Sequence, residues 1–247
     1  MDKKLFFIVF PVVFTANIYL LDFNTTILAI PSIADEFDLS LKPASWIILS
    51  SSIVMTAFLM PIGRVADLIN RKFFYILSLI IYLIGIILAS YSNNVYVLIF
   101  FKIIASIGSV GSSIMMFVVI TSTFPKKYQG LGLSIITTSV ALGMMVSPFL
   151  GGLLLDNYGW RFAYKFIFFI GLFTVLMALV FVPKLEKPKI DINPFDIKGM
   201  IYFVIFMTLF VFIINDPFSF GFFSLIHFLQ IIVFLFFVLI FYKHEKN

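Results

Sequence analysis

Gly63-Arg64-Val65-Ala66-Asp67-Leu68-Ile69-Asn70-Arg71-Lys72 carries four charges between two apolar runs, 45–62 and 73–90. Each run has close to the ~20 residues that cross ~30 Å of hydrocarbon as a helix. The stretch therefore reads as a short turn joining two membrane spans. Gly63 lets the chain leave a helix and turn tightly. Asp67 sets a carboxylate where a helix N-terminus or a nearby arginine can meet it. Arg71 and Lys72 hold the turn at a membrane surface.

The same alternation runs outward in both directions. Spans are predicted near 5–31, 45–62, 73–90, 95–119, 131–155, 162–182, 199–215 and 221–242, separated by short polar loops such as Asp35 to Pro43 and Asp156 to Arg161. Of 247 residues, 62% are hydrophobic, only 12% are charged and 34 are Phe, whereas a soluble domain is about half apolar and a quarter charged. Backbone groups in lipid must be satisfied internally, which leaves helices or a closed barrel. A barrel needs ten-residue alternating segments, and these runs are continuous and longer. The fold class is an all-α membrane protein. The apolar run after Lys3 and Lys4 is too long for a signal peptide and lacks a small-x-small cleavage site, so it is an uncleaved first span.

Charge gives the orientation. Of the 17 Lys and Arg, thirteen fall on one side: Lys3 and Lys4, the turn at 64–72, Lys126 and Lys127, the segment 184–198, and the C-terminal end. Three (Lys42, Arg161 and Lys165) fall on the other, and Lys102 lies inside the fourth span. Positive loops stay cytoplasmic, so both termini are expected inside, and the basic balance marks topology rather than nucleic-acid binding. The absence of cysteine excludes disulfides and thiolate metal sites. No Walker loop, metal cluster or nucleophile triad occurs, so no enzyme, cofactor or metal is expected. His227 reads as packed or interfacial, and Trp46 and Tyr91 as interfacial anchors.

Within the spans, three polar features stand out. Asp22 sits in Leu21-Asp22-Phe23-Asn24-Thr25-Thr26-Ile27 of the first span, where an unpaired carboxylate costs several kcal/mol. Lys102 is the one cation deep inside a span, since Lys165 lies at the start of the sixth. Asp22 lies about nine residues from the outer end of its span and Lys102 about seven from its own, so at ~1.5 Å per residue their depths agree within roughly 3 Å. A pair between them is expected, either functional or merely neutralising two costly groups. In the fifth span Gly143, Ser147 and Gly151 recur every four residues and share one helix face, which admits a neighbouring backbone, while Pro148 frees a carbonyl and loosens the helix. Gly152 follows directly.

These segments resemble the major facilitator superfamily. Gly63, Ala66, Asp67, Arg71 and Lys72 match its G-x-L-A-D-R-x-G-R-K signature between helices 2 and 3, with Leu68 for the usual Arg and Asn70 for the usual Gly. Gly143 to Gly152 is similar to the helix-5 pattern G-x-x-x-G-P-x-x-G-G of its antiporters, with Ser147 for Gly. Trp160-Arg161-Phe162 resembles the W-R-W/F opening of helix 6. The Asp22 segment resembles the L-D-x-T-I…A-x-P motif of the drug:proton antiporters, and Lys102 to Gly108 resembles R-x-x-Q-G-x-G with Lys for Arg.

The resemblance is to the fourteen-helix drug:proton antiporter branch, over the N-terminal portion of such a protein. It implies a six-helix bundle over 1–183, a cytoplasmic linker over 184–198, and two additional transmembrane helices with a short tail over 199–247. It implies proton-coupled efflux of small amphipathic or cationic compounds from the cell (inner) membrane, with Asp22 and Lys102 in substrate or proton coupling and Gly63, Asp67, Arg71 and Lys72 as a gating latch. The missing second bundle would come from a complementary half-transporter or a second copy. Without it, the Gly143/Ser147/Gly151 face and the Asp67 loop are expected to face lipid, solvent or another chain. The alternative is a non-transporting truncated fragment or a helix-bundle interaction protein.

Overall fold

The computed structural model describes residues 3–185, 197–215 and 224–246, and helices with short turns account for nearly all of them, with no strand among them. In chain order the helices are α1 (Lys3–Glu36), α2 (Leu41–Ala57), α3 (Leu59–Leu68), α4 (Arg71–Ser90), α5 (Val95–Thr123), α6 (Lys126–Phe181), α7 (Ile197–Asn215) and α8 (Leu225–Lys246). Most of the 184–198 linker, the start of the predicted eighth span and the side chain of His227 lie outside the described residues.

Two predicted boundaries differ from the observed ones. The second span is not one straight helix: α2 and α3 meet at 52°, with Phe58 at the break. Pro61 explains the bend, since it has no N–H to offer the carbonyl four residues back and its ring crowds that carbonyl. The loop expected from Asp156 to Arg161 contracts to one non-helical residue, Gly159, with φ 77° and ψ 169°. A side chain would be strained there, so glycine is required. Gly159 thus splits the 56 residues of α6 into two arms, 126–158 and 160–181. With the α2–α3 pair as one bent span and α6 as two, the eight predicted spans map onto the observed helices.

The core lies between α1, α4, α5 and both arms of α6. Gly108 lets α5 approach α4 so closely that a Cβ there would meet the Ser78 carbonyl oxygen at 2.5 Å. Three tyrosines, Tyr75, Tyr82 and Tyr164, are fully buried. The Tyr75 hydroxyl bonds Thr15 at 2.6 Å, and that of Tyr164 bonds Thr26 at 3.1 Å. Where α1 ends, Trp160 Nε1 donates to Glu36 Oε2 at 2.7 Å. Arg161 donates to the other oxygen of Glu36 and to the Ser92 carbonyl at 2.9 Å, with its guanidinium 4.2 Å from the Trp160 ring centroid. This clasp gathers the ends of α1, α4 and the second arm of α6.

α7 and α8 lie outside this core. They meet through aromatic rings such as Phe210 and Phe234, with centroids 5.7 Å apart, and α7 rests on α2 where Phe212 meets Trp46 at 5.6 Å. Trp46 is therefore a contact between helices as well as a residue near a helix end. Tyr91 is 61% exposed, and Lys165 Nζ lies 4.5 Å from its ring centroid.

Candidate functional site

α1 and α5 bring Asp22 and Lys102 together. Lys102 Nζ stands 2.6 Å from Asp22 Oδ1, and the two side chains are 4% and 13% exposed for Lys102 and Asp22 respectively. The same ammonium donates to Thr26 Oγ1 at 3.0 Å and sits 5.1 Å from the Tyr164 ring centroid. Thr26 in turn donates to the Asp22 carbonyl at 2.7 Å. One turn of α1 thus supplies both the carboxylate and a hydroxyl acceptor, and the second arm of α6 closes the far side with an aromatic face. Each ion alone would carry a desolvation penalty of several kcal/mol, so the arrangement holds only as a pair with its hydrogen bonds complete.

The pair opens onto a cavity of about 340 Å³ among α1, α2, α4, α5 and the first arm of α6. Its lining includes the polar Asp22, Lys102, Ser106, Ser109 and Ser113 together with the apolar Phe23, Ile48 and three methionines. No described residue of α7 or α8 lines it.

The segment 63–72 is fastened to this bundle, and the turn expected there is shorter: Gly63 to Leu68 stay helical in α3 and Arg71 and Lys72 open α4, so the chain turns at Ile69 and Asn70 and not at Gly63. Asn70 caps α4 by accepting from the Phe73 amide at 3.2 Å, and its amide donates to the Leu185 carbonyl at 3.4 Å. That cap accounts for Asn in place of Gly. Arg71 donates to Ser122 at 3.0 Å and Lys72 to the Leu179 carbonyl at 2.8 Å. Gly63 leaves ordinary contact distance, 3.7 Å, from a Cβ to Ile114. Asp67 is half-buried and forms no ion pair among the described residues.

The Gly143/Ser147/Gly151 face does not stand open, and that expectation is corrected. All three residues are buried against α1. Asn17 occupies the space where a Gly143 side chain would go, and a Cβ at Gly151 would lie 2.7 Å from Thr25 Oγ1. Between them Asn24 Nδ2 donates to Ser147 Oγ at 2.8 Å. Spacing identifies the close-packing face but not the helix that fills it. The signal is Asn17 and Asn24, seven residues apart in an apolar span and so on one side of it. A Cβ at Gly152 would meet nothing within 4 Å, and Pro148 lies half-buried. Met145 and Phe149, 77% and 68% exposed, form the outward face of this arm.

Helices that cross repeatedly, with a buried charge pair beside a small-molecule cavity, define a multi-pass membrane protein of the transporter type. Residues 12–246 match the Major Facilitator Superfamily, and the chain belongs to that family, which comprises transporters and not enzymes. It is 30% identical over 201 residues to the riboflavin transporter RibZ of Clostridioides difficile, an alignment covering 79% of this chain and 43% of that protein. It is 25% identical over 178 residues to the multidrug resistance protein Stp of Mycobacterium tuberculosis, covering 72% and 33%. The chain thus spans less than half the length of these relatives. The fold is similar to that of a bacterial homolog of the human lysosomal transporter Spinster (TM-score 0.65, 19% identity, 85% of this chain and 51% of that one). It is also similar to the POT family transporter PepTSo (TM-score 0.68, 12% identity, 88% and 48%).

Proposed function

We propose that the chain supplies the first bundle of a proton-coupled exporter of small amphipathic compounds. The observation that carries the reading is the Asp22–Lys102 pair at 2.6 Å, buried yet facing a cavity. In the proposed cycle Asp22 carries the proton. Ionised, it holds Lys102 and ties α1 to α5. Protonated, it no longer neutralises the ammonium, which keeps only Thr26 and the Tyr164 ring. Proton binding and the tie therefore exclude one another, and a proton that prefers one conformation shifts the balance between two. Residues 1–183 form the moving bundle, 184–198 the cytoplasmic linker, and 199–247 a peripheral pair, in a cell membrane with both termini inside.

Transport in this reading needs a second bundle, from the rest of a longer chain, a separate half or a second copy, because alternating access rocks one repeat against another. The end of α3 around Asp67 would then be the latch, its carboxylate in no ion pair among the described residues. The multidrug names among the relatives support a broad amphipathic specificity.

The test uses inside-out vesicles carrying the chain with the second half of the riboflavin-transporter relative. Under an imposed proton gradient, at least one probe among ethidium, riboflavin and lumiflavin is expected to accumulate, with Asp22→Asn slowing it at least tenfold. Accumulation indifferent to Asp22, or none of any probe, would overturn the proposal.

A further inference from the structure

We infer that the cavity takes an uncharged, ring-bearing molecule with hydrogen-bond donors along one edge, and not an organic cation. The inference rests on the transport reading above and narrows its substrate.

Charge balance comes first. The acid and base that line the cavity are Asp22 and Lys102, and they are spent on each other at 2.6 Å. The wall contributed by this bundle is therefore neutral. An organic cation entering it finds the carboxylate already occupied by an ammonium that also holds Thr26. It must either displace Lys102, stranding a buried charge, or sit without a counter-ion, and both are costly in a low-dielectric site. An uncharged molecule meets neither obstacle.

The polar edge comes from α5. Ser106, Ser109 and Ser113 all line the cavity, and their spacing of three and four residues puts them on one helix face. Ser106 donates its proton to the Lys102 carbonyl at 2.8 Å and Ser109 to the Ser106 carbonyl at 2.9 Å. Their oxygens are thereby left as acceptors. Ser51, on the α2 side of the cavity, is likewise committed inward, to the Ile47 carbonyl at 3.1 Å. The serine row spans about 10 Å at ~1.5 Å per residue, long enough to meet several O–H or N–H groups in line.

The ring is met by the methionines of the same lining: Met55 on α2, Met144 on the first arm of α6, and Met116, which continues the serine row of α5 by one further step. Thioethers on three different helices adapt to a flat face and attract aromatic edges. The volume of about 340 Å³ falls in the range of small-molecule sites, ~300–1,000 Å³.

Equilibrium binding to the full 247-residue chain in lipid nanodiscs tests this. Riboflavin serves as the neutral ring with a row of hydroxyls, lumiflavin as the same ring without the row, and ethidium as the permanent cation. Riboflavin is expected to bind at least tenfold more tightly than either. The double variant Ser106→Ala/Ser109→Ala should weaken riboflavin about tenfold and leave lumiflavin unchanged, two lost hydrogen bonds each being worth a few-fold. Should that variant not fold, the half-buried Ser113→Ala is expected to weaken riboflavin about threefold. Ethidium binding most tightly and being lost in Asp22→Asn would overturn the inference, as would absence of riboflavin binding. Proton-driven, Asp22-dependent movement of ethidium in the vesicle assay would sink this inference while sparing the transport reading.

Discussion

α1 shows two polar faces to its neighbours, and they differ in kind. Toward the first arm of α6 it presents Asn17, Asn24 and Thr25, filled by Gly143, Ser147 and Gly151. Toward α5 it presents Asp22 and Thr26, held by Lys102. Both are polar surfaces at membrane depth, which lipid cannot satisfy. The first is neutral and packed by close backbone approach, with a cavity of about 160 Å³ beside Asn17, Gly143 and Ser147. The second is charged and borders the cavity of about 340 Å³. Polarity inside a span therefore marks a need for a partner, and charge beside a cavity marks a group whose partner can change.

The comparison breaks most severely at the charged face. Lys102→Met is expected to cost about 3–5 kcal/mol, because it leaves a buried carboxylate unpaired. Asp22→Leu combined with Lys102→Met should return to within ~1 kcal/mol of the parent, since an apolar replacement of both ions is often neutral. Thermal unfolding in detergent reads both, and a double variant no more stable than the single would show that the pair itself holds α1 to α5.

At the neutral face the expected effects are smaller. Gly143→Val must displace Asn17, and overpacking of this kind costs about 1–3 kcal/mol. It should lower folded yield without altering any Asp22-dependent proton response, and a changed proton response would mean the two faces are not independent. Asn24→Leu and Ser147→Ala, singly and together, should give a coupling of roughly 0.6 kcal/mol, the usual worth of a hydrogen bond between membrane helices. A coupling of zero would make the 2.8 Å contact incidental. The smallest effect is expected at the clasp between Glu36 and Arg161. Glu36 and Arg161 are 41% and 34% exposed. Glu36→Gln should therefore cost less than about 1 kcal/mol and lose its effect in high salt.

Much of this was legible in the sequence, and the exceptions share a cause. Run length marked the spans, and matched depth paired Asp22 with Lys102, since in a bilayer depth is a coordinate that residue counting measures directly. Rotation about the axis is not. The four-residue recurrence of Gly143, Ser147 and Gly151 set which residues share a face, yet which neighbour meets that face depends on how distant helices pack. The same holds for Glu36, whose partners Trp160 and Arg161 lie 124 and 125 residues away. The bend at Phe58 and the one-residue joint at Gly159 escape for a local reason. Hydropathy averages over a window and is blind to a single dihedral, although Pro61 and Gly159 stand in plain view in the chain.

The separation of partners along the chain also sets an order of events during synthesis. Asp22 waits for Lys102, 80 residues later, and Asn24 waits for Ser147, 123 residues later. At roughly 5–20 residues per second, α1 spends several seconds made but unpartnered, with a carboxylate and two amides turned toward lipid, translocation machinery or chaperone. The second partner comes on the first arm of α6. α1 is thus made well before the helices that seat its polar groups, and any factor that shields a nascent membrane helix would act on it.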